Sequence, residues 1–419
     1  MSRVRVVVVG GGVVGLACAW ELARGGAEVT VVERDAVGAG VSYGNTGWIC
    51  PTITHPLPAP GMVREGLRQL VTRGDAFVLR PRADADFLRW LLSFRRCCSP
   101  ARYEAGLRAL LALNRRTVEL YDRYRDEGVE FELHTSGLVV AALGREGLEF
   151  YRGITRVLHA DGFEGEIDEV DGDAVAVLEP ALAGGSVRCA LHARVDRYVR
   201  PETLTAGLAA ALRRGGAEVR EGFDVAGIER RSGSVVVRGA GEELQADRVV
   251  VAAGLGSAPL LRRFGVSMPL AGARGYSVTV DGEGTPPVHA LYLAEAKLGL
   301  SPYDSGVRVA GVFELGAKDA TAPRGALRKL LDAVHSYLPA WRPDTEHAPA
   351  VWAGLRPATA DGLPLIGSAP GMDGLYVAAG HAMLGVTLAA STAALLAPLV
   401  LRGERSPELA PFDPGRRVP

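Results

Sequence analysis

The sequence predicts an α/β fold in which a discontinuous nucleotide-type domain, built on a parallel sheet, carries an inserted α+β domain of antiparallel sheet and helices. Three observations predict it. Residues 4–33 run strand, glycine turn, helix, strand, acid. Residues 266–351 switch to the alternating pattern of half-buried antiparallel strands. Residues 352–397 return to glycine-rich strand, loop and helix. The division that follows is 1–61, 170–265 and 352–419 for the nucleotide domain, and 62–169 and 266–351 for the inserted cap.

The first stretch reads VRVVVVGGGVVGLACAWELARGGAEVTVVER. Its opening strand is apolar on both faces, as a parallel strand covered by helices must be. Gly10 allows a tight turn, Gly12 lets the backbone approach a pyrophosphate, and Gly15 lets the helix pack close to the strand. Val13 and Val14 open that helix, whose free N–H groups face the phosphates. Glu33 ends the second strand, where a carboxylate accepts ribose hydroxyls and repels a 2′-phosphate. The unit is Rossmann-like and binds a dinucleotide. One GxGxxG is weak in a chain with 53 glycines; strand, helix, second strand and acid in register make it strong.

Residues 34–61 form a glycine- and proline-rich loop, long enough to be functional rather than a plain connector. Residues 62–71, 87–94 and 107–127 carry helical periodicity. Strands are expected at 129–133 and 137–143, and a helix at 147–161. Residues 188–195 have a mixed pattern that places no element. A helix at 201–214 opens on Pro201, and short strands follow at 217–221, 224–231, 234–238 and 248–253. The last ends in Ala252-Ala253-Gly254, a strand end beside the first nucleotide rather than a second fingerprint. The cap strands are 274–280, 289–294, 298–301 and 307–312, with a helix at 324–337. Residues 375–379 are a buried strand, and 385–396 a small-residue helix.

Bulk properties exclude several classes. Lys+Arg 47 balances Asp+Glu 48, which removes an electrostatic case for nucleic acid. Five cysteines without a CxxC give no disulfide framework and no metal site, and they suit a reducing, cytoplasmic compartment. No run of 18 apolar residues predicts a membrane span. The apolar N-terminus carries the glycine turn, so it is not read as a cleaved signal.

The motifs GGGVVG with Glu33, SYGNTGWICP at 42–51, Ala252-Ala253-Gly254, GLRPATADGLPLIG at 354–367 and AAGHAMLGVT at 378–387 together resemble the FAD-dependent D-amino-acid oxidase superfamily. The resemblance runs nearly end to end and is nearest to D-amino-acid dehydrogenases. It implies non-covalent FAD, despite Cys50 in the loop. It also implies oxidation of an amino acid's Cα–N bond by hydride transfer to flavin N5, the imine then hydrolysing to a 2-oxo acid and ammonia. Alternatives are a secondary amine such as an N-substituted glycine and, more remotely, a non-catalytic flavin-binding subunit.

The resemblance also implies roles for residues. Ser42, Asn45, Thr46 and Gly47 would cradle the flavin ring, with Arg34 beside the nucleotide acid and Val225 against adenine. Ala253, Gly254, Gly380, Leu384, Gly385, Val386 and Thr387 complete the cofactor set, the last four through a helix N-terminus that stabilises charge on reduced flavin. Arg356 is the first candidate for the substrate carboxylate, because a guanidinium fork binds one bidentately. Tyr276 is the second, followed by Arg274 and Tyr303; His381 is also counted with the substrate set, in a backbone or flavin-edge role rather than as a base. Lys297 is the candidate for promoting reaction with O2, and it does not choose between O2, a quinone and a redox protein as electron acceptor. Arg64, Arg68, Arg73, Arg80, Arg82, Arg89, Arg95 and Arg96 lie beside Trp90, Leu91, Leu92 and Phe94. That basic amphipathic stretch is either a solvated cap face or a peripheral docking surface for the inner face of a membrane or a partner.

Overall fold

A computed structural model describes residues 3–64, 77–80, 82, 84–266 and 270–418. Arg68 and Arg73, with most of the helix expected at 62–71, lie outside the described residues.

The nucleotide half is a six-stranded sheet. Its order is Glu218–Arg220, Glu28–Val32, Arg5–Val9, Arg248–Val251, Leu375–Ala379 and Leu365–Ser368. All pair in parallel except the last, which is antiparallel. The near-continuous valine strands fit because helices cover one face and a three-stranded sheet (Val225–Arg231, Ser234–Gly239, Glu242–Ala246) packs on the other. Val13–Arg24, Pro201–Arg214 and Gly385–Arg402 form the helical layer. Gly385–Arg402 is long and apolar enough to cross a membrane, but most of it is buried in this core.

The second body is a nine-stranded sheet. From one edge it runs Trp352–Ala358, Ala271–Val280, Gly306–Leu315, Leu298–Tyr303, Ala290–Leu293, Leu138–Ala142, Cys189–Ala193 and Ile167–Asp171, with Phe77–Leu79 pairing Gly306–Leu315. Ala326–Tyr337 covers its far face, packing on Val278, Val309, Leu291 and Leu300. The near face looks toward the nucleotide half.

Three expectations need correction. The unplaced segment 188–195 contains a strand of the cap sheet, and Trp352–Ala358 is that sheet's edge strand, although both ranges were assigned to the nucleotide domain. Their glycine-rich neighbours resemble the nucleotide half, but pairing partners far along the chain decide membership. The helix expected at 107–127 is two, Pro100–Asn114 and Thr117–Asp126, broken at Arg115–Arg116. Both pack on the C-terminal helix, and Pro100–Asn114 also sets Leu107 and Leu111 against the cap strands. The strand expected at 129–133 shrinks to Leu133–His134.

Candidate functional site

At the glycine turn, Gly10 has φ +115°, and a Cβ there would overlap the Ala252 carbonyl. A Cβ on Gly15 would overlap the Gly10 carbonyl oxygen. Helix and strand therefore meet at a distance only glycine permits. The Glu33 carboxylate accepts from the N–H of Gly11 at 2.7 Å and of Asp35 at 3.1 Å. Ser42 reaches back from the loop to accept from the Val13 N–H at 3.1 Å. Arg34 is exposed beside Asp35. Val225 begins its strand two residues after Phe223, whose N–H bonds the Glu33 carbonyl at 2.8 Å. The Ala252 N–H bonds Val9 at 2.8 Å, so Ala253 and Gly254 lie at the mouth of the glycine turn.

The loop and the C-terminal helix meet at the other end. The Thr387 hydroxyl donates to the Trp48 carbonyl at 2.8 Å and accepts from Cys50 N–H at 3.5 Å. Tyr121 donates to the Val386 carbonyl at 2.6 Å, and Thr117 to that of Thr387. No side chain caps this helix. Its first N–H groups, with the positive end of its dipole, form a site for negative charge. Gly380 turns the chain into it at φ +79°, and the Leu384 N–H closes onto His381 at 2.8 Å.

The cap sheet presents one face to this end. The pairing of Ala273 with Arg356 and of Ser277 with Trp352 sets the parity. Residues 273, 275, 277, 352, 354 and 356 share the near face, because paired residues point the same way and neighbours alternate. Arg356 leans over Gly275, where a Cβ would overlap its guanidinium. Trp352 lies over Gly354 and touches Gly44 of the loop, so a Cβ on either glycine would overlap the indole.

Arg356 is half-buried. Its Nη1 donates to the Val312 carbonyl at 3.1 Å, and its guanidinium lies 5.9 Å from the centre of the Phe313 ring. Among the described residues no carboxylate pairs with it, and desolvation pushes its pKa down to about 10. Val312 holds its carbonyl there with φ +63°, an outlier for a β-branched residue, at a bulge in the pairing with Ala271–Val280. The arrangement is a positive charge with open donors and, among the described residues, no carboxylate partner.

Other sequence candidates fall elsewhere. Tyr276 is on the opposite parity and packs toward Ala326–Tyr337; its hydroxyl goes to buried Glu314, and burial pushes its pKa up to about 12. Arg274 is committed to Glu314 at 2.7 Å and Asp319 at 2.7 Å. Tyr276 lies near enough to Arg356 to raise its pKa slightly against desolvation, but its hydroxyl and the Arg274 guanidinium are already engaged by Glu314 and Asp319. Tyr303 is on the near face, but its hydroxyl donates to the Thr46 carbonyl at 2.7 Å, so it holds the loop. His381 Nε2 pairs with the Thr392 hydroxyl at 3.0 Å inside the C-terminal helix, and burial pushes its pKa down to about 3; it is neutral packing, not a substrate ligand. Lys297 Nζ reaches the Tyr151 hydroxyl at 3.5 Å from a hairpin turn.

Sequence reasoning missed Trp352 and Arg308. Trp352 stands two residues before the run singled out for Arg356, four residues earlier than Arg356 on the same parity. Arg308 is 4% exposed in a strand that is apolar apart from it and Glu314, and a buried arginine was its only signal.

The cradle, the acid and the uncapped helix fit a dinucleotide cofactor with a ring that gains negative charge. Fold and site thus define a dinucleotide-dependent oxidoreductase. The chain belongs to the DAO family of FAD-dependent oxidoreductases, whose model matches residues 5–399. It is 34% identical over 419 residues to a D-amino acid dehydrogenase of Cereibacter sphaeroides, covering 98% of this chain and 94% of that one. A D-amino acid dehydrogenase of Methylobacterium nodulans is 34% identical, with 98% and 97% covered. Among solved structures, glycine oxidase from Geobacillus kaustophilus superposes with TM-score 0.76 at 25% identity, covering 100% of both chains. L-proline dehydrogenase from P. horikoshii shares the fold with TM-score 0.72 at 19% identity, covering 99% of this chain and 98% of that one.

Proposed function

We propose that this chain is a D-amino-acid dehydrogenase, oxidising the Cα–N bond of its substrate to an imine that water converts to a 2-oxo acid and ammonia. The observation that carries the reading is Arg356: a desolvated guanidinium on the near face of the cap sheet, without a carboxylate of its own. Bound FAD supplies a hydride acceptor for the substrate Cα. Gly10, Gly12, Gly15 and Glu33 hold its nucleotide end; Ser42, the loop to Gly47, and the N–H groups of Gly385, Val386 and Thr387 hold the rest.

The chain's own contribution is placement. Arg356 takes the substrate carboxylate, and the Val312 carbonyl fixes the fork's orientation by occupying one Nη1 donor. Trp352 and Tyr43, with ring centres 6.5 Å apart, join the cap sheet to the ring loop beside Arg356. No protein base is needed when the amine arrives neutral, and His381, with a pKa of about 3, supplies none. Activity should therefore rise with pH as the substrate ammonium deprotonates; a flat profile contradicts this.

Cys50 is buried, and burial followed by Asp196 holds its thiol well above the ordinary range. A thiol of that kind is a poor nucleophile, which supports non-covalent FAD, released by acid precipitation. All five cysteines are free, which suits the cytoplasm. The electron acceptor is O2, a quinone or a redox protein. The helix Ala85–Cys97 supports docking: Leu88 and Leu92 are 52% and 53% exposed, with Arg89 and Arg96 also on the exposed side.

The test is anaerobic bleaching of the yellow protein by D-amino acids, L-amino acids and N-alkyl glycines. Bleaching by D-amino acids is expected. Bleaching by N-alkyl glycines alone moves the assignment to a secondary amine, which the same carboxylate anchor accommodates. No bleaching by any amine overturns the reading.

A further inference from the structure

The ring loop has an accounting problem that one buried residue resolves. Within residues 43–47, the N–H of Tyr43 bonds Gly40 at 3.1 Å, that of Asn45 bonds Ser42 at 3.3 Å, and that of Gly47 bonds the Asn45 side chain at 2.7 Å. The N–H groups of Gly44 and Thr46 have no partner among the described residues. Backbone donors away from water need partners. These two belong to the peptides 43–44 and 45–46.

Arg308 grips those same two peptides from behind. Its Nη1 donates to the carbonyls of Tyr43 and Asn45, each at 3.0 Å. In a planar trans peptide, C=O and N–H point in opposite directions. Holding both carbonyls against the cap sheet turns both orphan N–H groups to the other side. The Arg308 guanidinium is fixed in turn. Nε donates to the Thr279 hydroxyl at 3.0 Å, and Nη2 to Glu202 at 2.5 Å, with Nη1 also 3.2 Å from that carboxylate. Its face covers the Tyr303 ring at 5.2 Å. Glu202 sits in the first turn of Pro201–Arg214, so one side chain ties the cap sheet, the loop and the nucleotide half together. Ser301 and Tyr303 hold the Thr46 carbonyl alongside, each at 2.7 Å.

We infer that Arg308, paired with Glu202, is a positioning residue that aims the Gly44 and Thr46 N–H groups at the flavin ring, where they stabilise the charge the ring gains on reduction. This rests on the FAD reading above. Two fixed donors on one side are worth most where charge develops. Lysine cannot replace the fork, because it cannot span two carbonyls, a hydroxyl and a carboxylate in one plane.

The test compares Arg308→Lys, Arg308→Met and Glu202→Gln by flavin midpoint potential, visible spectrum, FAD dissociation constant and melting temperature. Both Arg308 variants should have a more negative potential, an altered visible band and FAD affinity about tenfold weaker, as for loss of charged hydrogen bonds. Glu202→Gln leaves Arg308 its two loop carbonyls, so it should lower the melting temperature with a smaller shift in potential. Arg308→Lys keeps the charge opposite Glu202, so it serves even where Arg308→Met does not fold. A yellow wild type whose potential and spectrum are unchanged in Arg308→Lys overturns the proposal and leaves the FAD reading standing. A wild type that binds no flavin overturns both.

Discussion

Arg356 and Arg308 rise from the same face of the same sheet, one on its edge strand and one two strands inward, yet their electrostatics are opposed. Arg308 has a hydrogen-bonded carboxylate, and although burial alone lowers its pKa, Glu202 brings it above the ordinary value. Arg356 has a carbonyl and an aromatic ring but no carboxylate, and desolvation lowers its pKa to about 10. A protein that can supply a counter-ion in one place and withholds it in another leaves the second charge for a ligand. A buried arginine with its own carboxylate is structure; one without is the candidate anchor proposed above.

The largest test of that contrast is Arg356→Met. Losing a desolvated, bidentate carboxylate anchor costs about 3 to 5 kcal/mol, on the order of a thousandfold in kcat/KM. Melting temperature should hold or rise, because an unpaired charge has been removed. Arg356→Lys keeps the charge without the fork and should fall between. Kinetics and thermal melting on the same samples check both halves. A melting temperature that drops while activity survives would make Arg356 scaffold like Arg308.

Glu314→Gln probes the satisfied side next. Burial alone pushes the Glu314 carboxyl up, but Tyr276, Arg80 and Arg274 outweigh it and hold it below the ordinary value of 4.5. Removing its charge takes the buried partner from Arg274, which keeps the more exposed Asp319, so stability should fall by about 1.5 to 3 kcal/mol with kcat/KM changed far less. A depressed folded pKa contributes stability that is present above the unfolded value and is lost as pH falls through the folded one. The melting gap between wild type and variant should therefore be constant from pH 8 to about 5 and close below about 4.5.

The same contrast explains what the sequence made legible. The glycine turn, its helix and Glu33 are set within thirty positions by local requirements, and the relation between them survives any topology. The cap face is different. Whether Tyr276 or Gly275 faces the substrate depends on parity, and parity is fixed by pairing with Trp352–Ala358, some eighty positions away. Tyr276 and Arg274 had suitable chemistry on the wrong side of a strand. Arg308 had no motif, since a clamp is defined by the carbonyls it holds. Residues 188–195 showed no period because the strand they contain is buried on both faces between two others.

A third buried charge at this end follows neither course, and it carries the smallest effect. Asp196 lies where the ring loop leaves the site, with no ion pair to a cation among the described residues; it accepts from the Thr52 hydroxyl and, at 3.4 Å, from the Thr52 N–H. Burial lifts its pKa to about 7, above the pull of Thr52 and Cys50 in the other direction. A carboxyl can silence its charge by taking a proton near neutral pH, whereas Arg356, at about 10, cannot lose one there. The sign for an acid raised in the folded state is the reverse of Glu314. Below the unfolded value of 3.8 both states are protonated; between 3.8 and about 7 the unfolded chain ionises first, and stability is lost as pH rises. Asp196→Asn should melt with wild type at pH 4, then above it by a gap that widens to about pH 7 and stays constant beyond. A few degrees is the expected size. A gap independent of pH would mean that Asp196 is ionised throughout and has a cationic partner, and the buried charges here would then divide into satisfied ones and the single anchor at Arg356.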